Sequence, residues 1–187
     1  SDSNIALTDN QLTVGGENHL LADVEQAELT GGPAANTLDA AAFNGDTTLS
    51  GGGGADTISG SLGITLLQAS RDEDLTLTDA SLTGSDIVTI SDIDRARLIG
   101  GPSANALDVS AFSGPTTLRG SAGNDTITGG ESDDLIIGGT GSDLIEGRGG
   151  NDDIRAGSGD DTIDGGNGND SIRAAAGHDS VLGSDGD

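Results

Sequence analysis

The sequence of 187 residues contains no cysteine, methionine, tryptophan or tyrosine, and Phe43 and Phe112 are its only aromatic residues. The absence of cysteine excludes disulfides and thiolate metal sites. The scarcity of large apolar side chains, together with 33 glycines, argues against a compact globule built around a large apolar core. Because hydrophobic residues make up 32% and the formal net charge is -25, the chain needs a further source of stabilisation in order to fold. For an acidic chain, that source is a cation.

Basic residues are few: there are seven, all arginine, scattered from Arg71 to Arg173. They cannot form the positive stripe that binds phosphate backbones, so we expect no nucleic acid or anionic membrane as partner. No apolar run approaches the roughly 18 residues of a transmembrane span, and we expect no membrane insertion. The chain starts without a basic and apolar leader and stops within a repeat. From this we expect a fragment of a longer polypeptide, whose other domains are candidate partners.

From Gly120 onward the chain repeats every nine residues. The eighth place of each full frame is isoleucine or valine, and the fourth is glycine in six of the seven frames, Ser132 being the exception. The sixth place is always aspartate: Asp125, Asp134, Asp143, Asp152, Asp161, Asp170 and Asp179. An acidic, disordered linker would explain the composition but not this regular pairing of acidic and aliphatic places.

A longer repeat contains the shorter one. Residues 24–60 align without gaps with residues 93–129, and 21 of the 37 positions are identical. Each copy contains a degenerate frame with Asn36 or Asn105 in the aspartate place, 20 residues before Asp56 or Asp125 of the next frame. We therefore predict two parts. Residues 1–119 form a degenerate solenoid with coils of about 20 residues, and residues 120–187 form a nonapeptide roll with coils of 18 residues.

The nonapeptide suits calcium for physical reasons. Its aliphatic residue lies between two outward side chains, as in a short strand, and the other six residues make a turn. Glycine lets the carbonyl oxygens of such a turn converge, and carbonyl and carboxylate oxygens are hard donors that suit calcium. Coils stacked about 4.8 Å apart bring carboxylates into register, where each pair repels by roughly 1 kcal/mol in water and by more at lower dielectric. Calcium between stacked turns reverses that sign, so binding and folding are coupled.

The repeat resembles the G-G-x-G-x-D-x-U-x signature, with U aliphatic, of the repeats-in-toxin (hemolysin-type calcium-binding) family. The match is continuous over residues 120–182 and separate over 51–59. The resemblance implies an all-β fold, a right-handed parallel β-roll or β-solenoid with calcium-binding turns, and extended coils in the N-terminal part. It also implies a chain that is largely unfolded in the calcium-poor cytosol and folds after type I export.

The resemblance further implies several calcium ions, roughly five or more. Their expected ligands are the seven sixth-place aspartates, Asp56 and turn carbonyls, for which we predict Gly129, Glu131, Gly138, Thr140, Gly147, Gly149, Gly165 and Asn167. We interpret Asn36 and Asn105 as a ladder or as turn caps rather than as ligands. Departures from the signature predict weaker individual sites, and they lie at Ser132, Arg148, Ala156, Ala174 and Ala175.

These observations favour a calcium-binding structural or folding module of a large secreted or surface bacterial protein, such as an adhesin. One alternative is a module that binds a surface polysaccharide or another ligand and is attached to a secreted enzyme. Another is an ice-binding solenoid, which the irregular fifth place (Asn, Asp, Ser, Asn, Asp, Asn, His) disfavours. No nucleophile with a base, acid and base pair or cofactor loop can be identified, so we do not expect an enzyme.

Overall fold

Short strands form wherever an aliphatic residue lies between polar neighbours and a turn rich in glycine follows. The structure is a computed structural model that describes residues 3–182, and within that range it contains 21 β-strands and no helix. No helix of the length and hydropathy that a bilayer span requires occurs among residues 3–182. The all-β fold predicted from the sequence is confirmed.

The strands are, in chain order, β1 (Ile5–Thr8), β2 (Gln11–Val14), β3 (Glu17–Leu20), β4 (Gln26–Thr30), β5 (Thr37–Ala42), β6 (Asp46–Ser50), β7 (Thr57–Ser59), β8 (Thr65–Ser70), β9 (Leu75–Thr78), β10 (Ser81–Thr83), β11 (Ile87–Ser91), β12 (Arg95–Ile99), β13 (Ala106–Ala111), β14 (Thr116–Ala122), β15 (Thr126–Thr128), β16 (Leu135–Thr140), β17 (Leu144–Glu146), β18 (Asp153–Ser158), β19 (Thr162–Asp164), β20 (Ser171–Ala176) and β21 (Ser180–Leu182). They belong to two compact units. Unit 1 comprises Ser1–Ala69 and Asp79–Ala96, and unit 2 comprises Ser70–Thr78 and Arg97–Asp187. The sequence-based division at residue 120 stays a prediction.

Unit 1 combines parallel coils with antiparallel strands. Leu29 pairs in parallel with Leu49 and Leu38 with Ile58, an interval of 20 residues in both cases. The antiparallel pairs are β1 with β2, β2 with β3, and β10 with β11. The sequence did not predict these antiparallel pairs, because alternation of apolar and polar residues marks a strand without specifying the direction of its partner.

Unit 2 is a regular parallel β-solenoid. After a first, longer step from Leu107 to Ile127, the strands of one sheet succeed each other at intervals of two nonapeptides through β15, β17, β19 and β21. Strands β14, β16, β18 and β20 do the same in the second sheet. The predicted parallel β-solenoid with two nonapeptides per coil is therefore confirmed.

The interior of each unit is a stack of aliphatic side chains with one phenylalanine at the longer coil. Ile127, Ile145 and Ile163 are stacked in unit 2, and each is at most 1% exposed. Phe43 in unit 1 and Phe112 in unit 2 are also buried. Each donates its backbone N–H to the carbonyl three residues earlier at 2.9 Å, so the same turn inserts both rings into the core. Their predicted role as plugs of the core agrees with this burial.

Candidate metal-binding turns

The sixth-place aspartates of unit 2 form two columns, as predicted. Each directly precedes a strand, so the parallel register of the strands fixes the register of the carboxylates. The first column comprises Asp125, Asp143, Asp161 and Asp179, and the second comprises Asp134, Asp152 and Asp170. Five of them (125, 134, 143, 152 and 161) are at most 3% exposed. The solenoid therefore places rows of carboxylates in a nearly water-free environment.

One oxygen of each carboxylate belongs to a hydrogen-bonded ladder. The backbone N–H of Asp125 donates to Oδ1 of Asp143 at 2.9 Å, and the N–H of Asp143 donates to Oδ1 of Asp161 at 2.8 Å. The second column repeats this arrangement from Asp134 to Asp152 at 2.8 Å. Each carboxylate thus accepts a bond from the coil before it. These bonds hold the side chains in place but do not neutralise their charge.

The other oxygen has no hydrogen-bond partner in four of these residues. Oδ2 is buried and unbonded in Asp125, Asp143, Asp152 and Asp161. In Asp125, Asp143 and Asp152 it lies in a space that glycine leaves, because a Cβ added to the first-place glycine of the turn would overlap Oδ2. In the turn of Asp161 the first place is Ala156. A buried anionic oxygen without a partner is costly, so this arrangement requires a group that supplies positive charge.

The pKa values of these carboxylates reflect the same cost of burying a negative charge. Burial, together with the repulsion of neighbouring carboxylates, raises the pKa of Asp143 to about 6 and that of Asp152 to about 7. The backbone N–H bond to each carboxylate opposes the shift without cancelling it. Burial likewise raises the pKa of Asp125, Asp134 and Asp161. The folded chain without metal therefore holds protons on these aspartates more tightly than an ordinary carboxylate does.

The turns fall into two classes. In the open turns, the second and fourth places of the frame both have positive φ, and these frames begin at residues 51, 120, 138, 147, 156, 165 and 174. In the closed turns, whose frames begin at residues 31, 100 and 129, neither place does. Left-handed conformation at alternate residues, which glycine adopts at no steric cost, changes the direction in which successive peptide groups of the turn point. Only the open turns have this backbone shape.

In the closed turns, the sixth-place side chain bonds to its own turn. The second-place N–H of Gly32 donates to Oδ1 of Asn36 at 2.7 Å, and that of Gly101 donates to Oδ1 of Asn105 at 2.7 Å. Gly130 donates in the same way to Oδ2 of Asp134 at 2.8 Å. Asn36 and Asn105 are therefore turn caps, in agreement with the interpretation of the sequence.

The predicted carbonyl ligands all lie in or beside these turns. Gly129, Gly138, Gly147 and Gly165 occupy first places and are buried. Gly149 and Asn167 form an isolated parallel bridge between two stacked turns. Thr140 ends β16, and its carbonyl accepts the N–H of Gly123 at 2.9 Å, while Glu131 is exposed on the closed turn. Their role as ligands stays a prediction.

A second ladder, which the sequence analysis missed, follows the fifth place of the frames. The N–H of Ser142 donates to Oδ1 of Asn124 at 2.9 Å, and that of Asn169 donates to Oδ1 of Asn151 at 2.9 Å. His178, at the same place, donates its N–H to Asp160 at 2.8 Å. The sequence did contain a signal of this ladder, because the fifth-place residue is short and carries a side-chain oxygen in each of the six frames that precede the frame of His178. The residue type at the fifth place varies from frame to frame, but its side chain accepts the same kind of hydrogen bond.

A family model describing the RTX calcium-binding nonapeptide repeat matches the chain in four copies. They cover residues 42–63, 110–145, 129–163 and 146–181, which together make up about half of the chain. The chain belongs to this family. RTX repeats bind calcium, and the number of copies fits several ions. This family is a structural calcium-binding one rather than an enzymatic one. No curated protein is similar enough to the chain to count as a relative.

The residues present fit calcium. Among residues 3–182, no three side chains of histidine, cysteine, aspartate or glutamate cluster closely enough to hold a metal ion by themselves. An ion bound here therefore also needs backbone carbonyls, and some lie near the unbonded oxygens. A Cβ added to Gly138 would meet both Oδ2 of Asp143 and the carbonyl oxygen of Ala156. Bound calcium supplies two positive charges and takes six to eight oxygen ligands. This requirement matches a donor set of carboxylates and carbonyls.

Proposed function

We propose that this chain is a calcium-dependent folding and stiffening module of a large extracellular bacterial protein. The observation that carries the proposal is the set of four buried, unbonded Oδ2 atoms in unit 2. Without a cation, each leaves a desolvated charge or forces protonation, and both outcomes disfavour the stacked coils. Calcium makes these atoms ligands, and its binding free energy becomes folding free energy.

The proposed ligands are the sixth-place aspartates of the open turns together with turn carbonyls. In unit 2 the aspartates are Asp125, Asp143, Asp152, Asp161, Asp170 and Asp179, and in unit 1 the open turn contributes Asp56. The carbonyls beside them are those of Gly138, Thr140, Gly147, Gly149, Gly165 and Asn167. In five of these turns the first-place residue is a glycine that leaves room for the carboxylate: Gly51, Gly120, Gly138, Gly147 and Gly165.

The extracellular location follows from the same coupling. RTX repeats are typical of secreted bacterial proteins. A net charge of -25 keeps the chain expanded where calcium is scarce, which suits export through a narrow conduit, and calcium outside the cell then drives folding. The module itself performs no catalysis, and its partners are calcium and neighbouring domains of the same longer protein.

A calcium titration followed by far-ultraviolet circular dichroism tests this proposal. The chain should change cooperatively from coil to β structure as calcium rises to the millimolar range. Magnesium at equal concentration is the matched control and should have a much smaller effect, because its octahedral geometry and reluctance to lose water fit a set of backbone carbonyls poorly. An unchanged spectrum in calcium, or full β structure after chelation, would contradict the proposal.

A further inference from the structure

The turn at residues 129–134 lies within the row of sixth-place aspartates but differs from its neighbours. We infer that this turn binds no calcium, because protein groups bond to its carboxylate instead, and that Ser132 determines this behaviour. The inference rests on the proposed function. The sequence predicts Gly129, Glu131 and Asp134 as ligands, since the frame has its aspartate in the usual place. Three independent features of the turn support the opposite assignment.

The first feature is the carboxylate of Asp134, whose two oxygens are both bonded. Oδ2 accepts the N–H of Gly130 at 2.8 Å. Oδ1 accepts the N–H of Thr116 at 2.7 Å and its hydroxyl at 2.8 Å. In Asp143 and Asp152, by contrast, Oδ2 is buried without a partner. At Asp134, therefore, the Oδ2 atom that stays unbonded in the open turns already accepts a hydrogen bond from its own turn.

The second feature is the backbone, which follows the residue in the fourth place. In all seven open turns that residue is glycine with positive φ. In the three closed turns it is Ala34, Ser103 or Ser132. A residue with a Cβ disfavours the left-handed conformation, so these turns keep the other backbone shape. The hydroxyl of Ser132 also donates to the carbonyl of Ser113 at 2.8 Å, which fastens the turn to the preceding coil.

The third feature is a protein cation beside this turn. Arg148, in the next turn of the same column, pairs with Glu131 at 3.2 Å. Arginine occupies a second place in no other frame of the roll. The guanidinium therefore supplies a positive charge from the protein itself to Glu131, the acidic third-place residue of turn 129–134. Calcium provides that charge at the open turns.

Native mass spectrometry of the full chain in calcium tests the inference by counting bound ions. Asp134→Asn should leave the ion count unchanged, because asparagine already caps the closed turns at Asn36 and Asn105. The matched control Asp143→Asn, at the same place of an open turn, should lose at least one ion. Ser132→Gly restores the fourth-place glycine and should add one ion to the count.

The outcomes separate this inference from the proposed function. If the unmodified chain binds no calcium, the proposed function fails. If it binds calcium but Asp134→Asn loses an ion as Asp143→Asn does, the assignment of turn 129–134 is wrong. An unchanged count in Ser132→Gly would show that the fourth place does not determine the class of turn. Circular dichroism of each variant in calcium establishes that the ions are counted on folded chains, and Ser132→Gly keeps every sixth-place carboxylate should Asp143→Asn fail to fold.

Discussion

Unit 1 and unit 2 satisfy the buried polar groups of their coils in different ways. Several of these groups in unit 1 have neutral partners: the hydroxyl of Thr47 lies 3.2 Å from the hydroxyls of both Ser61 and Thr65, and Asn36 caps its own turn. Its only buried acidic residue among those described is Asp56, whereas unit 2 buries five aspartates. The buried polar groups of a β-coil can therefore be satisfied either by neutral hydrogen bonds or by carboxylates together with a cation. Only the arrangement of carboxylates with a cation makes folding depend on the ions in the surrounding solution.

Regularity differs between the units in the same way. The parallel pairings of unit 1 join Gln26 to Asp46, Thr47 to Thr65 and Thr57 to Thr89, which are three different intervals along the chain. From β15 onward, every pairing of unit 2 spans the same interval of two nonapeptides. A site shared by stacked turns requires equal coils, while neutral bonds tolerate insertions. The proposed calcium sites would therefore account for the greater regularity of unit 2.

Calcium removal should distinguish the units most strongly. With a chelator present, we expect amide hydrogen exchange over residues 120–182 to accelerate by orders of magnitude, because the carboxylates there lose their counter-ions. Residues 26–50 should accelerate much less, since neutral hydrogen bonds hold their coils together. Exchange measured peptide by peptide by mass spectrometry checks this, with excess calcium as the control. Equal acceleration in both ranges would remove the distinction between the units.

The aliphatic stack should contribute next. Ile145 is fully buried, so Ile145→Ala should reduce the free energy of unfolding in calcium by about 2–5 kcal/mol. The adjacent residue Leu144 points outward and is 51% exposed, so Leu144→Ala should change it by less than about 0.5 kcal/mol. Denaturant unfolding at saturating calcium measures both values. Equal losses would mean that ions alone hold unit 2 together.

Acid should weaken calcium binding by a smaller amount. The pKa values of Asp143 and Asp152 in the folded, metal-free chain are about 6 and 7, against 3.8 ordinarily. The folded chain thus binds protons more tightly than the unfolded chain. The metal-free fold therefore gains stability as the pH falls from about 7 towards 4 and loses it as the pH rises through that window.

Protons and calcium compete for the same oxygens, so calcium affinity should fall by about tenfold between roughly pH 7.5 and 5.5. Isothermal titration calorimetry at the two pH values provides the measurement. The exchange pattern of residues 26–50, corrected for the intrinsic effect of pH, should stay nearly constant. An affinity independent of pH would show that these carboxylates do not contact the ion.

Backbone strain should give the smallest effect. Ala175 has φ of 80°, a conformation that alanine disfavours, so Ala175→Gly should stabilise the chain by about 0.5–1 kcal/mol after the entropic cost of glycine. Ala176, its neighbour in β20, is exposed and has no positive φ, so Ala176→Gly should destabilise by a similar amount. Thermal melts in calcium compare the two. Identical signs would exclude strain as the cause.

The sequence was sufficient to predict the repeating part of this molecule. Asp143 and Ile145 recur at a fixed spacing, and that spacing determined both the coil length and the carboxylate columns. The antiparallel pair of β10 and β11 could not be predicted, because no periodic signal specifies where a single hairpin pairs. The bonds of Asp134 could not be predicted either, since they depend on the backbone shape that Ser132 imposes rather than on the identity of the aspartate.

The two ladders of unit 2 run in opposite directions between coils. Each coil donates its sixth-place N–H groups forward to the next coil and accepts fifth-place N–H groups from it. Each coil thus presents the same hydrogen-bond donors and acceptors to its neighbours. Gain or loss of one whole coil changes the length of the solenoid, and every donor between neighbouring coils still meets its acceptor. Gain or loss of a single nonapeptide would move each following carboxylate to the opposite sheet, so two nonapeptides are the smallest module that duplication could multiply without refolding the rest.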